Sequence, residues 1–142
     1  MIKTNKTFYR VLSLTIGVLA IGIPLLVGYL NGKKYDKAIR KNPSITLGTV
    51  YDYEAIYKHS PVLKYEFEFE GKKFYSSSSS SGTGNWEDEY KILFRKVKGR
   101  SFPVFFSKDS PGRYNKILII PADFEEFNLN YPDSLNWIKT LL

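Results

Sequence analysis

The chain has 142 residues, a formal net charge of +7 and no cysteine. That length holds one domain and an appendage. Without cysteine, disulfides, thiolate metal sites, cysteine nucleophiles and a lipid-attachment thiol are all excluded. The positive charge is local: Lys3, Lys6, Arg10, Lys33, Lys34, Lys37, Arg40 and Lys41 flank one apolar run, with only Asp36 among them. The remaining thirteen basic and thirteen acidic residues, all from Ser44 onward, balance. A basic stripe on a folded domain, as nucleic-acid binding requires, is therefore not expected. Cationic flanks beside an apolar segment suit anionic lipid head groups instead.

Residues 11–30 contain no charge, and twelve of the twenty are Leu, Ile or Val. A helix of that length spans about 30 Å, the hydrocarbon thickness of a bilayer. Gly17, Gly22, Gly28 and Pro24 are tolerated in lipid, with a kink expected at Pro24. Phe8 and Tyr9 at one end, and Tyr29 and Tyr35 at the other, stand where aromatic belts lie. The run is longer than the apolar core of a signal peptide, about 7–15 residues, and no small-residue cleavage site comes after it. It also has no polar face, unlike a core helix of a small domain. Ser13 and Gly17 form one small-xxx-small pair, a spacing common by chance in such spans.

Residues 1–10 thus read as a basic tail, 11–30 as a transmembrane helix, 31–43 as a charged juxtamembrane connector and 44–142 as a β-rich globular domain. Three basic residues precede the span and five come after it, which favours a cytoplasmic domain. The short basic N-terminus favours export of the domain C-terminal to the span. The expectation taken forward is a single-pass inner-membrane protein with an exported domain.

Beyond Pro43, which should end any continuation of the helix, the periodicity alternates. Residues 45–57 predict a strand with Ile45, Leu47, Tyr51, Tyr53, Ala55 and Tyr57 on its apolar face. Residues 62–69 predict a second, with Leu63, Tyr65, Phe67 and Phe69 facing one way and Lys64, Glu66 and Glu68 the other. Glu70-Gly71 supplies a two-residue hairpin turn, setting Phe67 opposite Phe74 and Glu68 opposite Lys73. The serines Ser76 to Ser81 continue the third strand and then loosen into a loop.

Asn85 is placed to cap a helix whose apolar stripe is Trp86, Tyr90, Leu93, Phe94 and Val97, and Gly99 stops it. Residues 101–107 and 114–120 predict two further strands around the turn Asp109-Ser110-Pro111-Gly112, with Pro103 at a strand edge or start. Residues 134–142 can form a short closing helix. The fold class is an N-terminal transmembrane helix followed by an α+β, mostly antiparallel domain. About five strands make a small sheet or barrel carrying one amphipathic helix.

No catalytic, cofactor-binding or metal-binding residues are assigned. His59 is the single histidine and lies in a turn, so histidine-based triads and multi-histidine metal sites are excluded. Glu66, Glu68 and Glu70 share a strand face that can hold a hard cation, but Lys64 and Lys73 compete for them. Glu125 and Glu126 point apart in any regular structure. Gly82-Thr83-Gly84 lacks the downstream lysine of a phosphate loop.

The hairpin from Val62 to Tyr75 with its serine run, the opening Leu47-Gly48-Thr49-Val50, and the stretch from Phe102 to Pro111 before a Leu-Ile-Ile strand carry a resemblance. Over residues 44–120 the chain resembles the small membrane-anchored β proteins of bacteria grouped as a domain of unknown function. It departs from them at Phe106-Ser107, in having a single proline at the turn, and in a longer preceding helix. The resemblance implies a fold and a tether and assigns no reaction. The expected function is a non-enzymatic, membrane-anchored domain that binds a protein or an envelope component. The alternatives are a membrane-associated immunity or protection protein and, third, an enzyme with an unrecognised site.

Overall fold

The computed structural model describes the backbone of residues 6–54, 62–79 and 86–141, and the side chains of 20–54, 62–78 and 92–141. The chain divides into two units, Met1–Ala38 and Ile39–Leu142.

The described residues of the first unit lie in one helix, α1 (Lys6–Ile39), which continues through the expected span into the charged connector. Ile21, Ile23, Leu25, Leu26, Val27 and Leu30 are each at least 50% exposed. At about 100° per residue these positions lie all round the helix. Among the described residues no helix is long and apolar enough to cross a membrane. The side chains of residues 11–19, the first half of the expected span, lie outside the described residues.

The helix ends where the sequence places a breaker. Asn42 adopts the left-handed conformation at φ 51°, and Pro43 opens the first strand.

The second unit is an α+β domain built on one antiparallel five-stranded sheet. Its strands are β1 (Pro43–Glu54), β2 (Val62–Phe69), β3 (Lys72–Ser79), β4 (Ser101–Ser107) and β5 (Asn115–Ile117), ordered β3-β2-β1-β4-β5. Between β3 and β4 runs α2 (Trp86–Val97). After β5 come α3 (Pro121–Glu126), a 3-10 turn (Asp133–Leu135) and α4 (Asn136–Lys139). The expected order of strands and helix holds, and so does a short closing helix.

The β2–β3 hairpin has the expected register. Phe67 pairs with Phe74 and Glu68 with Lys73. Glu70 and Gly71 both have positive φ, 51° and 72°, the geometry of a tight turn that matches the twist of the strands. The Phe67 and Phe74 rings stack with centroids 5.4 Å apart. The serine run stays in the ladder through Ser79, which pairs with Val62; Ser80 and Ser81 lie outside the described residues.

Through Tyr51 the face of β1 is the reverse of the one expected, and at Tyr53 it is the expected one. Ile45, Leu47 and Tyr51 are exposed, whereas Gly48 and Val50 turn inward. The cause is space. A Cβ on Gly48 would stand 2.5 Å from Val104 Cγ2 and 2.9 Å from the Glu66 carbonyl oxygen, so only glycine fits the inner line there. Tyr51 is then the extra residue of a β-bulge, since Val50 pairs with Tyr65 and Asp52 with Lys64. The bulge resets the alternation so that Tyr53 returns to the inner side opposite Leu63. Residues 55–57, expected to extend this strand, lie outside the described residues.

Gly99, at φ 75°, ends α2, and its N–H donates to the Val50 carbonyl at 2.7 Å. Leu93 and Val97 bury the apolar stripe of α2, and Phe94 stacks on Tyr53 at 4.5 Å. Asn85, the expected cap, and the side chains of Trp86 and Tyr90 lie outside the described residues.

β5 is shorter than expected because Ile119 and Ile120 direct their N–H groups elsewhere. Both donate to Asp123 Oδ2 at 3.0 Å, which starts α3 instead of prolonging the ladder. Pro103 sits near the start of β4. Its carbonyl accepts from Leu118, just past the end of β5, but proline has no N–H to return that bond, so this pair has one bond where a ladder pair would have two. The two sheet edges curl toward each other: a Cβ on Gly112, in the β4–β5 turn, would lie 3.2 Å from the Phe74 ring of β3. Val50, Tyr65, Phe67, Phe102, Val104 and Phe106 fill the inner side.

Candidate binding surface

The two ends of the outer sheet face differ. Over β4 and β5 it is covered: Phe105 stacks on Phe127 with centroids 4.2 Å apart. Lys116 meets Asp123 at 3.2 Å and also Glu126, both on α3. Burial disfavours the Lys116 ammonium, but the hydrogen bond to Glu126 and the charges of Asp123 and Glu126 outweigh it and raise its pKa.

Over β1–β3 several large outer side chains are exposed. Leu47 is 66% exposed, Ile45 50% and Tyr75 61%. A well-packed domain ordinarily turns such side chains inward, so their grouping on one face is informative. The Tyr51 and Tyr75 rings meet edge to face, centroids 6.1 Å apart. Beside them, Tyr51, Lys64, Tyr75, Ser76 and Ser77 line an open groove of about 400 Å³.

The charges at this end are taken up in pairs or stand alone in solvent. Lys64 Nζ lies 3.0 Å from Glu54 Oε2 and 3.7 Å from Asp52 Oδ2, both on β1. The hydrogen bond and charge of Glu54, then the charge of Asp52, raise its pKa. Lys73 bonds to Glu66 at 3.0 Å, the diagonal neighbour and not Glu68 directly opposite, and this raises the Lys73 pKa. Lys64 therefore does not compete for Glu66, as the one-dimensional pattern suggests; it turns to β1.

Glu68 is exposed on the strand and Glu70 at the turn. Glu126 is taken up by Lys116 while Glu125 faces solvent. His59 and Gly82-Thr83-Gly84 lie outside the described residues. No group of three or more His, Asp or Glu placed to hold a metal occurs among the described residues.

The outward Tyr75 is legible in sequence, since a hairpin that turns Phe74 inward turns its neighbours outward. The outward Tyr51 is not, because nothing in Val50-Tyr51-Asp52 announces a bulge. No family model matches the chain, and neither curated proteins nor solved structures give a match. The resemblance to small anchored β proteins therefore rests on its motifs alone.

Proposed function

We propose that this chain is a single-pass membrane-anchored binding protein, without catalysis, whose β domain engages a protein or an envelope component through its open outer face. The observation that carries it is the side-by-side exposure of Ile45 and Leu47 on the central strand, continued by Tyr51 and Tyr75. Exposed apolar side chains grouped on one face and rimmed by paired charges are the usual build of an interaction surface.

The anchor in this proposal is residues 11–30. It is supported by the uncharged run and by apolar side chains exposed all round the described part of α1, with Lys33, Lys34 and Lys37 directly after it. In water, a helix so exposed leaves its apolar surface unburied; in lipid that surface is solvated. The proposed location is the inner membrane, with the domain exported.

Two measurements test this. Full-length protein should sediment with membranes and resist carbonate extraction; recovery in the soluble fraction would remove the anchor. For the surface, a deletion strain should be complemented by the parent and not by membrane-inserted, folded Leu47→Asp. Equal complementation by both would remove the binding face.

A further inference from the structure

We propose that the groove beside Tyr51, Lys64 and Tyr75 is a saccharide site that takes a short, neutral glycan. The proposal rests on the binding role above and names the ligand.

The bulge turns Tyr51 outward from the centre of the sheet, and Tyr75 approaches it from the edge strand. Bulges commonly re-aim a side chain at a site of this kind. The two rings are 40% and 61% exposed and at 85° to one another, so a ligand can lie on one ring and abut the other. The groove volume of about 400 Å³ falls within the range of about 300–1,000 Å³ for small-ligand sites.

Charge then selects among ligands. Lys64 is already held between Glu54 and Asp52, so among the described residues lining the groove the one cation is compensated and not offered to a phosphate or carboxylate. The two carboxylates, with Glu66 nearby on the same face, repel such anions. They retain free lone pairs, and the Ser77 hydroxyl, paired across from Lys64 on the outer face, both donates and accepts. Apolar ring faces bordered by paired charges and a hydroxyl match a pyranose. Its C–H face packs on tyrosine, and each of its hydroxyls can donate and accept at once.

The test is calorimetric titration of the full chain in phospholipid nanodiscs. The probes are the tetramers of N-acetylglucosamine, β-1,4-glucose and α-1,4-glucose, with a polyproline peptide for comparison. At least one glycan should bind saturably, and Tyr75→Ala should weaken it about ten-fold, the loss of one aromatic contact. Tyr51→Ala should weaken it similarly, while Tyr75→Phe should bind nearly as the parent does. Circular dichroism of each variant guards against misfolding, and both rings are exposed enough to be cut without opening the core.

Absence of binding to all three glycans overturns the proposal, as does binding indifferent to Tyr75→Ala or binding of the peptide alone. Failure here with Leu47→Asp still defective would leave the binding role standing and remove only the glycan.

Discussion

Tyr65 of β2 donates its phenolic hydrogen to the Asn115 carboxamide oxygen of β5 at 2.6 Å, inside the curl of the sheet. Tyr65 is wholly buried and Asn115 is 6% exposed. Asn115 Nδ2 in turn donates to the Pro111 carbonyl at 2.6 Å, tying the β4–β5 turn to the same point. Strands β2 and β5 are not neighbours in the sheet, so this polar contact helps set how far the two ends curl together. Tyr65→Phe leaves the Asn115 oxygen without this donor and should cost about 1–3 kcal/mol. Asn115→Ala should cost at least as much, since the Pro111 carbonyl loses its donor too. Urea denaturation of the Ile39–Leu142 unit reads both, and a loss near zero would mean that water replaces the bond.

The hairpin offers a contrast between its two faces. Phe67 is 3% exposed and touches both Phe74 and Phe106, with ring centroids 5.4 Å and 5.5 Å away. Phe67→Ala should cost about 3–5 kcal/mol, as for other core aromatics. Glu68→Ala on the outer face should cost under about 1 kcal/mol, because Lys73 is bound to Glu66 instead. Similar losses for the two variants would contradict the observed register.

Gly48 should tolerate no side chain. Alanine there meets Val104 and the Glu66 backbone at distances that require one strand to shift. The expected destabilisation of Gly48→Ala is about 1–3 kcal/mol, typical of overpacking. Pairing Gly48→Ala with Val104→Ala relieves the closest contact but not the one to the Glu66 carbonyl, so rescue should be partial. Complete rescue would show that the backbone contact yields freely.

Lys116 predicts a dependence at high pH. Its pKa is raised in the folded domain, so the ammonium binds its proton more tightly there than in the unfolded chain. The stabilisation is therefore fully present below the ordinary value of 10.5 and fades as pH rises through the higher folded value. Lys116→Met should be destabilised by about 1.5–3 kcal/mol at neutral pH, the scale of hydrogen bonds to charged groups. The gap from the parent should narrow above about pH 10.5. A gap that stays constant to about pH 12 would assign the loss to packing of the lysine stem instead.

Where two independent signals agree, the sequence is readable. In the hairpin, alternation, turn residues and complementary pairs all select one register, and the structure has it. In β1 the apolar residues fall on both faces: Ile45 and Leu47 on one, Val50 on the other. Hydrophobicity alone chooses the wrong side, because the inner line is decided by the closeness of Val104 and Phe67 to Gly48. α3 is missed for a different reason. It is six residues long, too short for periodicity, and its signal is local: Pro121 at the first turn and Asp123 reaching back to two backbone N–H groups. The exposed outer face inherits the error in β1, since a strand read inside out hides the residues it displays.

The entry point of the chain into the sheet has a mechanical consequence. α1 leads through Asn42 into β1, which is the central strand, hydrogen-bonded to β4 on one side and β2 on the other. Were α1 held in lipid, as proposed above, tension on the chain would enter the sheet at Pro43, on a strand that ladders on both flanks hold in place. Ile45 and Leu47 sit on this same strand, within a few residues of Pro43. A partner seated there, on the proposed function, would load the same strand that the proposed anchor enters, and the force would pass from one to the other without crossing the sheet. Had the helix joined the edge strand β3, a single ladder, the one to β2, would carry that load.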